Sequence, residues 1–340
     1  MRALALRVDR RNAESWRRRL RRSGELRLDL EVDSGPGYVY LPITASPADL
    51  GPSEIVEHHE FRRRTAAAPT EYRELVDLPP ALRRQLPRAF DVVGDIVVVR
   101  VPEALAEYAP RIGAALLEFV PGARVVGSDD GVHGASRIRR LTVIAGDGGF
   151  ATTHRENELG FAVDLERAYF SPRLAREHDR VASLVRPGER VLDLCAGVGP
   201  FAVTIAARVP TVTVRAVDLN PSAVELLRAN AAAAHVEARV EAFCQDATEF
   251  LRQDGRYDRV VLNLPHDGER FLPALRDRVT AGGTVHYYEV VDRTAARNRP
   301  AELLERLGGA GLWHFGDSHV VHEYSPRADL RQFSFTRGSP

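Results

Sequence analysis

The sequence contains no lysine, so all 47 of its basic residues are arginine, and its single methionine is Met1. Mechanisms that require a lysine, such as Schiff-base formation or a phosphate-loop ammonium, are therefore excluded. Two cysteines, Cys195 and Cys244, are too few for a disulfide framework or a multi-cysteine zinc module. No apolar run approaches the roughly 18 residues of a membrane span. Arg7 and Asp9 interrupt the apolar N-terminal stretch, so we expect no signal peptide and a cytoplasmic location.

The sequence also has no net charge, because 47 acidic residues balance the 47 basic ones. This balance argues against tight long-range attraction to nucleic acid, but the placement of charges matters more than their sum. Residues 1–65 hold 13 arginines and 10 acidic residues, whereas residues 66–168 hold 12 arginines and 15 acidic residues. Candidate contacts with phosphate groups are the arginine runs at 17–22 and 62–64, together with Arg83, Arg84 and Arg88. The alternative is that these arginines form solvated helix faces paired with acidic residues.

The length of 340 residues predicts two or three domains. We place a small domain at 1–65, an α+β domain at 70–168 and a third domain at 169–340. Strands and helices alternate in the third domain, which is typical of a doubly wound, mostly parallel sheet. The expected fold class is thus α/β, with a Rossmann-like domain preceded by two smaller α+β domains.

Hydrophobic periodicity predicts the elements of the first two domains. We expect one strand over 91–99 with a kink at Gly94, and a helix over 103–119 that Pro110 kinks or restarts. Residues 58–70 are expected to form a linker. The other predicted elements are a helix at 13–22 and strands at 26–32, 38–43, 137–147 and 161–165.

The third domain shows strands followed by short polar segments. The predicted strands are 190–194, 212–218, 238–244, 259–263 and 283–289, and the helices are 201–208, 222–233 and 247–252. Asp193-Leu-Cys-Ala-Gly-Val-Gly-Pro-Phe lies at the first strand-to-helix turn, where Gly197 and Gly199 let a ligand approach the backbone. Asp218 ends the next strand, where a carboxylate can accept hydrogen bonds from two ribose hydroxyls. Asp246 follows the third strand, and Asn263-Leu-Pro follows the fourth.

This series of strand ends resembles the class I S-adenosylmethionine methyltransferases. The segment Tyr169-Phe-Ser-Pro-Arg-Leu, followed after two intervening residues by Glu177, is similar to a motif of archaeal and eukaryotic tRNA (guanine-37-N1) methyltransferases. Stretches beginning at Asp91, Arg137 and His154 agree, and the resemblance covers nearly the whole chain in the same three-part order. The related wybutosine 3-amino-3-carboxypropyl transferases lack the Ser-Pro-Arg-Leu form and match less well.

The resemblance implies S-adenosylmethionine as cofactor and a set of residues that bind it. No metal is expected, because the sulfonium already activates the methyl group. The implied cofactor-binding residues are Tyr169, His178, Asp193, Gly197, Gly199, Asp218, Leu219, Asp246, Ala247, Asn263 and Pro265.

Methylation of guanine N1 needs a base that removes its proton and a positive donor near O6, where negative charge accumulates. The resemblance implies Glu177 as the base, Arg137 as the O6 partner and Asn263 as a residue that positions the guanine. Sequence chemistry alone leaves other interpretations open. Glu177 could be an ordinary helix carboxylate beside arginines, and Arg137 could belong to a solvated strand run with Arg139 and Arg140.

The implied partner is tRNA, contacted at its anticodon stem-loop and its elbow, by an enzyme that acts as a single chain. Two alternatives stay open, a relative that methylates a small molecule or modified nucleoside, and an RNA-binding protein without activity. Several positions depart from the family pattern. His178 stands where an arginine is usual, Cys195 replaces a phenylalanine, Glu158 replaces a glycine, and 134–136 differ as well. His154 is given no role.

Overall fold

Two units divide the chain, one formed by Met1–Thr70 and the other by Glu71–Pro340. The computed structural model describes residues 1–63, 69–133, 138–253 and 255–338. Each unit has its own hydrophobic core. The sequence-based boundaries near residues 65–70 and 168 stay predictions.

The first unit is a four-stranded antiparallel sheet in the order β2-β3-β1-β4, with one helix packed on it. Leu20 of the helix is fully buried against Leu6 and Leu41 of the sheet. The predicted helix at 13–22 is confirmed. The elements are β1 (Arg2–Asp9), α1 (Ala13–Ser23), β2 (Asp33–Gly35), β3 (Tyr38–Pro42) and β4 (Ile55–Glu60).

Two predictions for this unit are wrong. Residues 26–32 form no continuous strand, since only Leu26 and Leu30 make isolated bridges and Leu28 is exposed. Their alternating apolar residues bury single side chains without a partner strand alongside. The linker predicted over 58–70 is wrong at its start, because residues 58–60 belong to β4, which pairs with β1. The ring of His59 stacks on Tyr40 at a centroid distance of 3.8 Å. Residues 64–68 of the predicted linker lie outside the described residues.

The second unit begins with a four-stranded sheet in the order β5-β6-β7-β8, covered by α3. The strand predicted over 91–99 is instead a hairpin, because Gly94 has φ +58° and turns the chain back. Pro110 restarts the helix, as predicted, since α3 begins one residue before it. The elements are α2 (Pro80–Arg83), β5 (Phe90–Val93), β6 (Ile96–Val99), α3 (Ala109–Phe119), β7 (Val125–His133) and β8 (Ile138–Gly146).

A hairpin and a helix connect this sheet to the next one. They are β9 (Ala151–Glu156), β10 (Leu159–Asp164) and α4 (Ala175–Leu184). The buried side chain of Asn230 accepts a hydrogen bond from the amide of Ala162 at 2.7 Å and donates to the Ala162 carbonyl at 3.1 Å. It also donates to the carbonyl of Val198 at 3.0 Å. One asparagine therefore fastens the hairpin to the turn that follows the first strand of the larger sheet.

That larger sheet has seven strands in the order β13-β12-β11-β14-β15-β17-β16. The first five are parallel, and β17 runs antiparallel to both of its neighbours. The strands are β11 (Arg190–Leu194), β12 (Thr213–Asp218), β13 (Val240–Cys244), β14 (Tyr257–Leu262), β15 (Val279–Asp292), β16 (Trp313–Glu323) and β17 (Ala328–Arg337). The helices are α5 (Pro200–Arg208), α6 (Pro221–Ala233), α7 (Ala247–Arg252), α8 (Leu272–Leu275) and α9 (Arg299–Leu307).

The predicted α/β class is confirmed by this doubly wound sheet. Its buried strands form two cores, one on each face, as parallel sheets with helices on both sides require. The antiparallel pair β16 and β17 was not predicted. Within the described ranges, no helix is both long and apolar enough to cross a membrane.

Candidate active site

A cavity of about 510 Å³ lies where the parallel strands end. Its lining includes residues at or shortly after the ends of β11, β12, β13 and β14, among them Gly197, Asp218, Asp246 and Asn263. β12 and β14 lie on opposite sides of β11, so the connections diverge and leave a crevice at this edge. The volume falls within the roughly 300–1,000 Å³ of cavities that enclose small ligands.

The glycine turn after β11 forms one wall of the cavity. Gly197 has φ +56°, lines the cavity and donates its amide hydrogen to Oδ2 of Asp218 at 2.7 Å. Gly199 has φ +86° and packs against α6, where an added Cβ would lie 2.7 Å from Cγ of Leu227. Gly199 is not among the described residues that line the cavity, so its close packing positions the turn.

Asp193 also lies behind the turn and is not one of the described lining residues. Its side chain is buried, and Oδ2 accepts a hydrogen bond from the amide of Ala202 at 3.1 Å. Burial raises the pKa of Asp193 to about 7, against the lowering effect of that hydrogen bond. The residue therefore anchors the start of α5 from beneath, which differs from the contact with cofactor that the sequence predicted.

Asp218 is positioned to bind a polyhydroxylated ligand. Besides the amide of Gly197, its carboxylate accepts the amide hydrogen of Asn220 at 2.8 Å, and Asp218 lines the cavity. Burial raises the pKa of Asp218, opposed by these hydrogen bonds. Asp246 lines the cavity and caps α7 by accepting from the amides of Thr248 and Glu249. Two carboxylates beside a glycine turn fit the ribose and adenine of S-adenosylmethionine.

The residues after β14 form the opposite wall. Asn263, Leu264 and Pro265 all line the cavity, and Oδ1 of Asn263 is buried without a hydrogen-bond partner in the described part of the chain. Aromatic rings complete this wall. His266 and Tyr324 meet with ring centroids 5.6 Å apart, and the two side chains are 3.3 Å apart at Nε2 and the hydroxyl.

Arginines line part of the cavity, but the predicted Arg137 falls outside the described residues. Arg139, two positions later, lines the cavity and is not solvated, since its side chain is only 10% exposed. It pairs with Asp129 at 3.0 Å and Asp91 at 3.4 Å, and its guanidinium carbon lies 5.9 Å from the ring centroid of Tyr169. Its Nε is buried and finds no acceptor among the described residues.

Glu177 faces away from the cavity and is absent from the described lining residues. Its carboxylate accepts two hydrogen bonds from Arg180, at 2.7 and 2.8 Å, and one from the hydroxyl of Tyr288 at 2.6 Å. Nε2 of His319 lies 3.0 Å away. Burial alone raises the pKa of Glu177, but these hydrogen bonds outweigh it and lower the pKa to about 2. Its role as the base stays a prediction.

His178, the next residue on α4, lines the cavity. Its Nδ1 lies 2.6 Å from Oε2 of Glu156, and both side chains are 1% exposed. The ring packs edge-on against Phe201, with centroids 4.5 Å apart. Nε2 is buried and has no partner within residues 1–63, 69–133, 138–253 and 255–338. Sequence reasoning identified His178 but missed Glu156, which the His154-Arg-Glu-Asn stretch could have indicated.

Of the other positions that depart from the family pattern, one lines the cavity and another does not. Cys195 lines the cavity with φ +67°, and burial raises the pKa of its thiol. Glu158 is exposed in the turn between β9 and β10, away from the described lining, and 134–136 lie outside the described residues. Among the residues that the structure describes, no group of three or more His, Cys, Asp or Glu side chains could hold a metal ion.

Comparisons with known proteins agree with this geometry. Residues 152–310 match the TRM5/TYW2 methyltransferase domain, and residues 72–149 match the TYW2 N-terminal domain. The chain is 34% identical to tRNA (guanine(37)-N(1))-methyltransferase Trm5b of Pyrococcus abyssi, covering 84% of this chain and 83% of that protein. It is 30% identical to Trm5b of Methanocaldococcus jannaschii over 98% of both. It is also similar to aTrm5 in a complex with tRNALeu, with a TM-score of 0.74, 28% identity and coverage of 98% and 99%.

Proposed function

Because the chain belongs to the TRM5/TYW2 methyltransferase family, we propose that it transfers a methyl group from S-adenosylmethionine to N1 of guanosine 37 in tRNA. When bound, S-adenosylmethionine supplies a methyl group that its sulfonium activates. The chain's own task is to hold the cofactor, receive the target guanine and manage the proton on N1.

Three buried polar atoms on the cavity lining are the observation that carries this proposal. Nε2 of His178, Oδ1 of Asn263 and Nε of Arg139 lack hydrogen-bond partners among the described residues. Buried polar atoms are normally paired, so these three unpaired atoms mark a place for a polar ligand. Two can accept hydrogen bonds and one can donate, which complements the N1–H, the amino group and O6 of guanine.

The same three unpaired atoms favour guanine over adenine. Adenine presents an acceptor at N1 and an amino group in place of O6, so at that position it cannot accept a hydrogen bond from an arginine, whether Arg139 or the predicted Arg137. A site that leaves its buried polar groups unpaired loses about 1–3 kcal/mol for each such group. Selection against adenine follows from the polarity of the lining.

The cofactor side of the cavity supports the other half of the reaction. We assign the ribose to Asp218 and Leu219, and the adenine to Asp246 and Ala247. Tyr169, Gly197 and Pro265 form walls around them. The roles of Arg137 at O6, Glu177 as base and Asn263 in positioning stay predictions, and Glu177 would have to leave Arg180, Tyr288 and His319 to reach the cavity.

A relative in complex with tRNALeu supports tRNA as the macromolecular substrate. In the first unit, α1 presents the Arg17–Arg22 run, in which Arg17 and Arg18 pair with Glu14 and Arg19 with Asp49. Exposed arginines on one helix suit phosphate contacts on a tRNA elbow, while the cavity takes the anticodon-loop base. Action as a single chain, in the cytoplasm, is part of the same proposal.

The test is methyl transfer from labelled S-adenosylmethionine to unmodified tRNA transcripts that differ only at position 37. We expect label on the G37 transcript, mapped by nuclease digestion to that base, and none on the A37 transcript. Label on free guanosine but not on either transcript would replace the proposal with a small-molecule methyltransferase. Cofactor binding without any transfer would indicate a protein that keeps the fold but not the activity.

A further inference from the structure

One exposed tyrosine, Tyr324, is among the described residues that line the cavity. It is 52% exposed, whereas the phenylalanines that line the same cavity, Phe170, Phe201 and Phe271, are buried. A residue that lines a cavity and keeps half of its surface in contact with solvent lies where the cavity opens. Single exposed aromatic residues are common on protein surfaces, so exposure alone assigns no role to this ring.

A second aromatic ring, that of His266, lies against Tyr324 and enlarges this surface. The two ring centroids are 5.6 Å apart at an interplanar angle of 66°, and the Tyr324 hydroxyl lies 3.3 Å from Nε2 of His266. His266 is also exposed, and it belongs to the segment after β14 that carries Asn263. The aromatic surface therefore begins at the cavity wall that we assign to the guanine and extends to the solvent.

The turn that carries Tyr324 connects β16 to β17 and is held on both sides of the ring. The amide of Tyr324 donates a hydrogen bond to the carbonyl of Ala328 at 3.0 Å. Arg293, which follows β15, pairs with Glu323 at 3.1 Å and with Asp329 at 2.9 Å. A ring on a turn that is already ordered loses little conformational freedom when it binds a ligand, which favours binding.

Exposed arginines accompany the ring. Arg100, Arg173 and Arg270 each line the cavity and are exposed. Arg173 is directed by an ion pair with Asp91 at 2.8 Å. Proteins that bind single-stranded nucleic acid combine positive groups for the phosphates with aromatic rings on which bases stack. A paired and stacked duplex offers no free base to the Tyr324 ring, so the matching ligand is an unpaired loop.

We propose that Tyr324 stacks on the base next to the target guanine in the anticodon loop once that guanine has entered the cavity. This inference rests on the proposed function and adds a substrate contact outside the reacting base. Extrusion of a base removes a stacking partner from each of its neighbours. The Tyr324 ring replaces that partner for one neighbour and so stabilises the extruded loop. Because every base has a π-face, the contact tolerates any base at the neighbouring position.

Substitution at Tyr324 tests the proposal directly. Y324A should raise the tRNA concentration that gives half-maximal single-turnover methylation of G37 by about 5- to 150-fold, the range that stacking of one base on an aromatic ring covers. S-adenosylmethionine affinity and the thermal midpoint should stay near the wild-type values, because the ring is exposed. The matched control is F315A, since Phe315 is 38% exposed on β16 and is not among the described lining residues.

Y324F and Y324W separate stacking from a structural role of the hydroxyl. Stacking needs the ring alone, so both variants should keep the wild-type concentration dependence. If Y324F is impaired as strongly as Y324A, the contact between the hydroxyl and His266 is what matters, and the proposal is overturned.

Transcripts that lack a single base identify the stacked neighbour and need no folded variant for their first result. With the wild type, an abasic nucleotide at the stacked position, 36 or 38, should raise the half-maximal tRNA concentration as much as Y324A does. On that transcript Y324A should cost nothing further, because the partner of the ring is already absent. A full effect of Y324A on both abasic transcripts would overturn the proposal.

Fluorescence gives a measurement that does not depend on turnover. 2-Aminopurine placed at position 36 or 38 is quenched when it is stacked. With S-adenosylhomocysteine bound, so that no methyl group is transferred, the wild type should keep the fluorophore at the stacked position quenched, and Y324A should brighten it. Equal brightness with the two proteins at both positions would overturn the proposal.

Failure of this inference can be told apart from failure of the proposed function. If the wild-type protein does not methylate the G37 transcript, the proposed function itself is lost. If the wild type methylates G37 and Y324A matches it at every tRNA concentration, only this inference fails.

Discussion

Helix α4 separates two polar environments that differ in one respect, how completely their hydrogen bonds are made. On what we call the sealed side, Glu177 is fully paired with Arg180, Tyr288 and His319. On the cavity side, His178 has one partner and one nitrogen unpaired among the described residues. Saturated buried polar groups stabilise a fold, whereas unsaturated ones keep capacity for a ligand. The comparison predicts that substitutions on the sealed side lower the stability of the protein, whereas substitutions on the cavity side lower its activity.

The largest expected effect is on the sealed side. E177A should lower the free energy of unfolding by about 3–5 kcal/mol, because it leaves the buried Tyr288 hydroxyl and the partly buried Arg180 without their acceptor. Denaturant unfolding at pH 7 measures it, with H178Q as the neighbouring control. A near-neutral E177A would break the comparison and show that Glu177 is free to serve the cavity.

The stability contributed by the Glu177 carboxylate should also depend on pH in the acid range. The pKa of Glu177 is about 2 in the folded protein, against an ordinary value of 4.5, a difference of roughly 3 kcal/mol. Because the folded pKa is the lower one, this stability is present above pH 4.5 and is lost as the pH falls towards 2. Plotted against pH, the free energies of unfolding of the wild type and E177Q should converge over that range. Parallel curves would contradict the assignment.

On the cavity side, D218A should weaken S-adenosylmethionine binding by about 1.5–3 kcal/mol, or about 10- to 150-fold, through loss of charged hydrogen bonds to the ribose. Calorimetric titration without tRNA measures this change. D193N provides the comparison, because Asp193 lies behind the turn and should alter affinity much less. Equal losses in both variants would reject the assignment of the ribose to Asp218.

The smallest effect should come from N263A. Its Oδ1 has no partner in the described part of the chain, so truncation should change stability little. Methylation of G37 should fall by roughly fivefold, as expected for one neutral hydrogen bond of about 1 kcal/mol. Equilibrium unfolding and single-turnover rates on the same preparation separate the two. A clear loss of stability would place Asn263 with the sealed side.

Much of the parallel sheet could be predicted from the sequence, because each buried strand reads as an apolar run and ends at a polar residue. Asp218, Asp246 and Asn263 come together because parallel strands share one carboxyl edge. The antiparallel pair β16 and β17 was missed. In β16 only Trp313 is buried, so the apolar signal is weak. β17 buries the polar residues Asp329, Gln332 and Ser334, which interrupt its apolar pattern. The alternation of apolar residues over 26–32 predicted a strand that does not form, because the segment buries single side chains without a partner strand.

Side-chain direction could not be predicted at the site. Glu177 and His178 are adjacent on one helix, about 100° apart, so only the packing of the helix decides which of them faces the cavity. Similarly, Arg139 became a lining residue because Asp91 and Asp129 hold it there. Both aspartates line the same cavity, but along the sequence they lie far from the strand ends that predicted the site.

The three hydrogen bonds of Asn230 have a consequence for the modularity of this enzyme. They join α6 to Ala162 of the hairpin and to Val198 of the glycine turn. The hairpin and the methyltransferase sheet therefore form one structural unit that would be exchanged as a whole. Glu156, the partner of His178, travels on that same hairpin. A recombination event or a truncation that separated the hairpin from the sheet would therefore remove both the hydrogen-bond partner of His178 and the contacts that Asn230 makes with the hairpin. Swaps between relatives should therefore succeed when they keep residues 151–233 together.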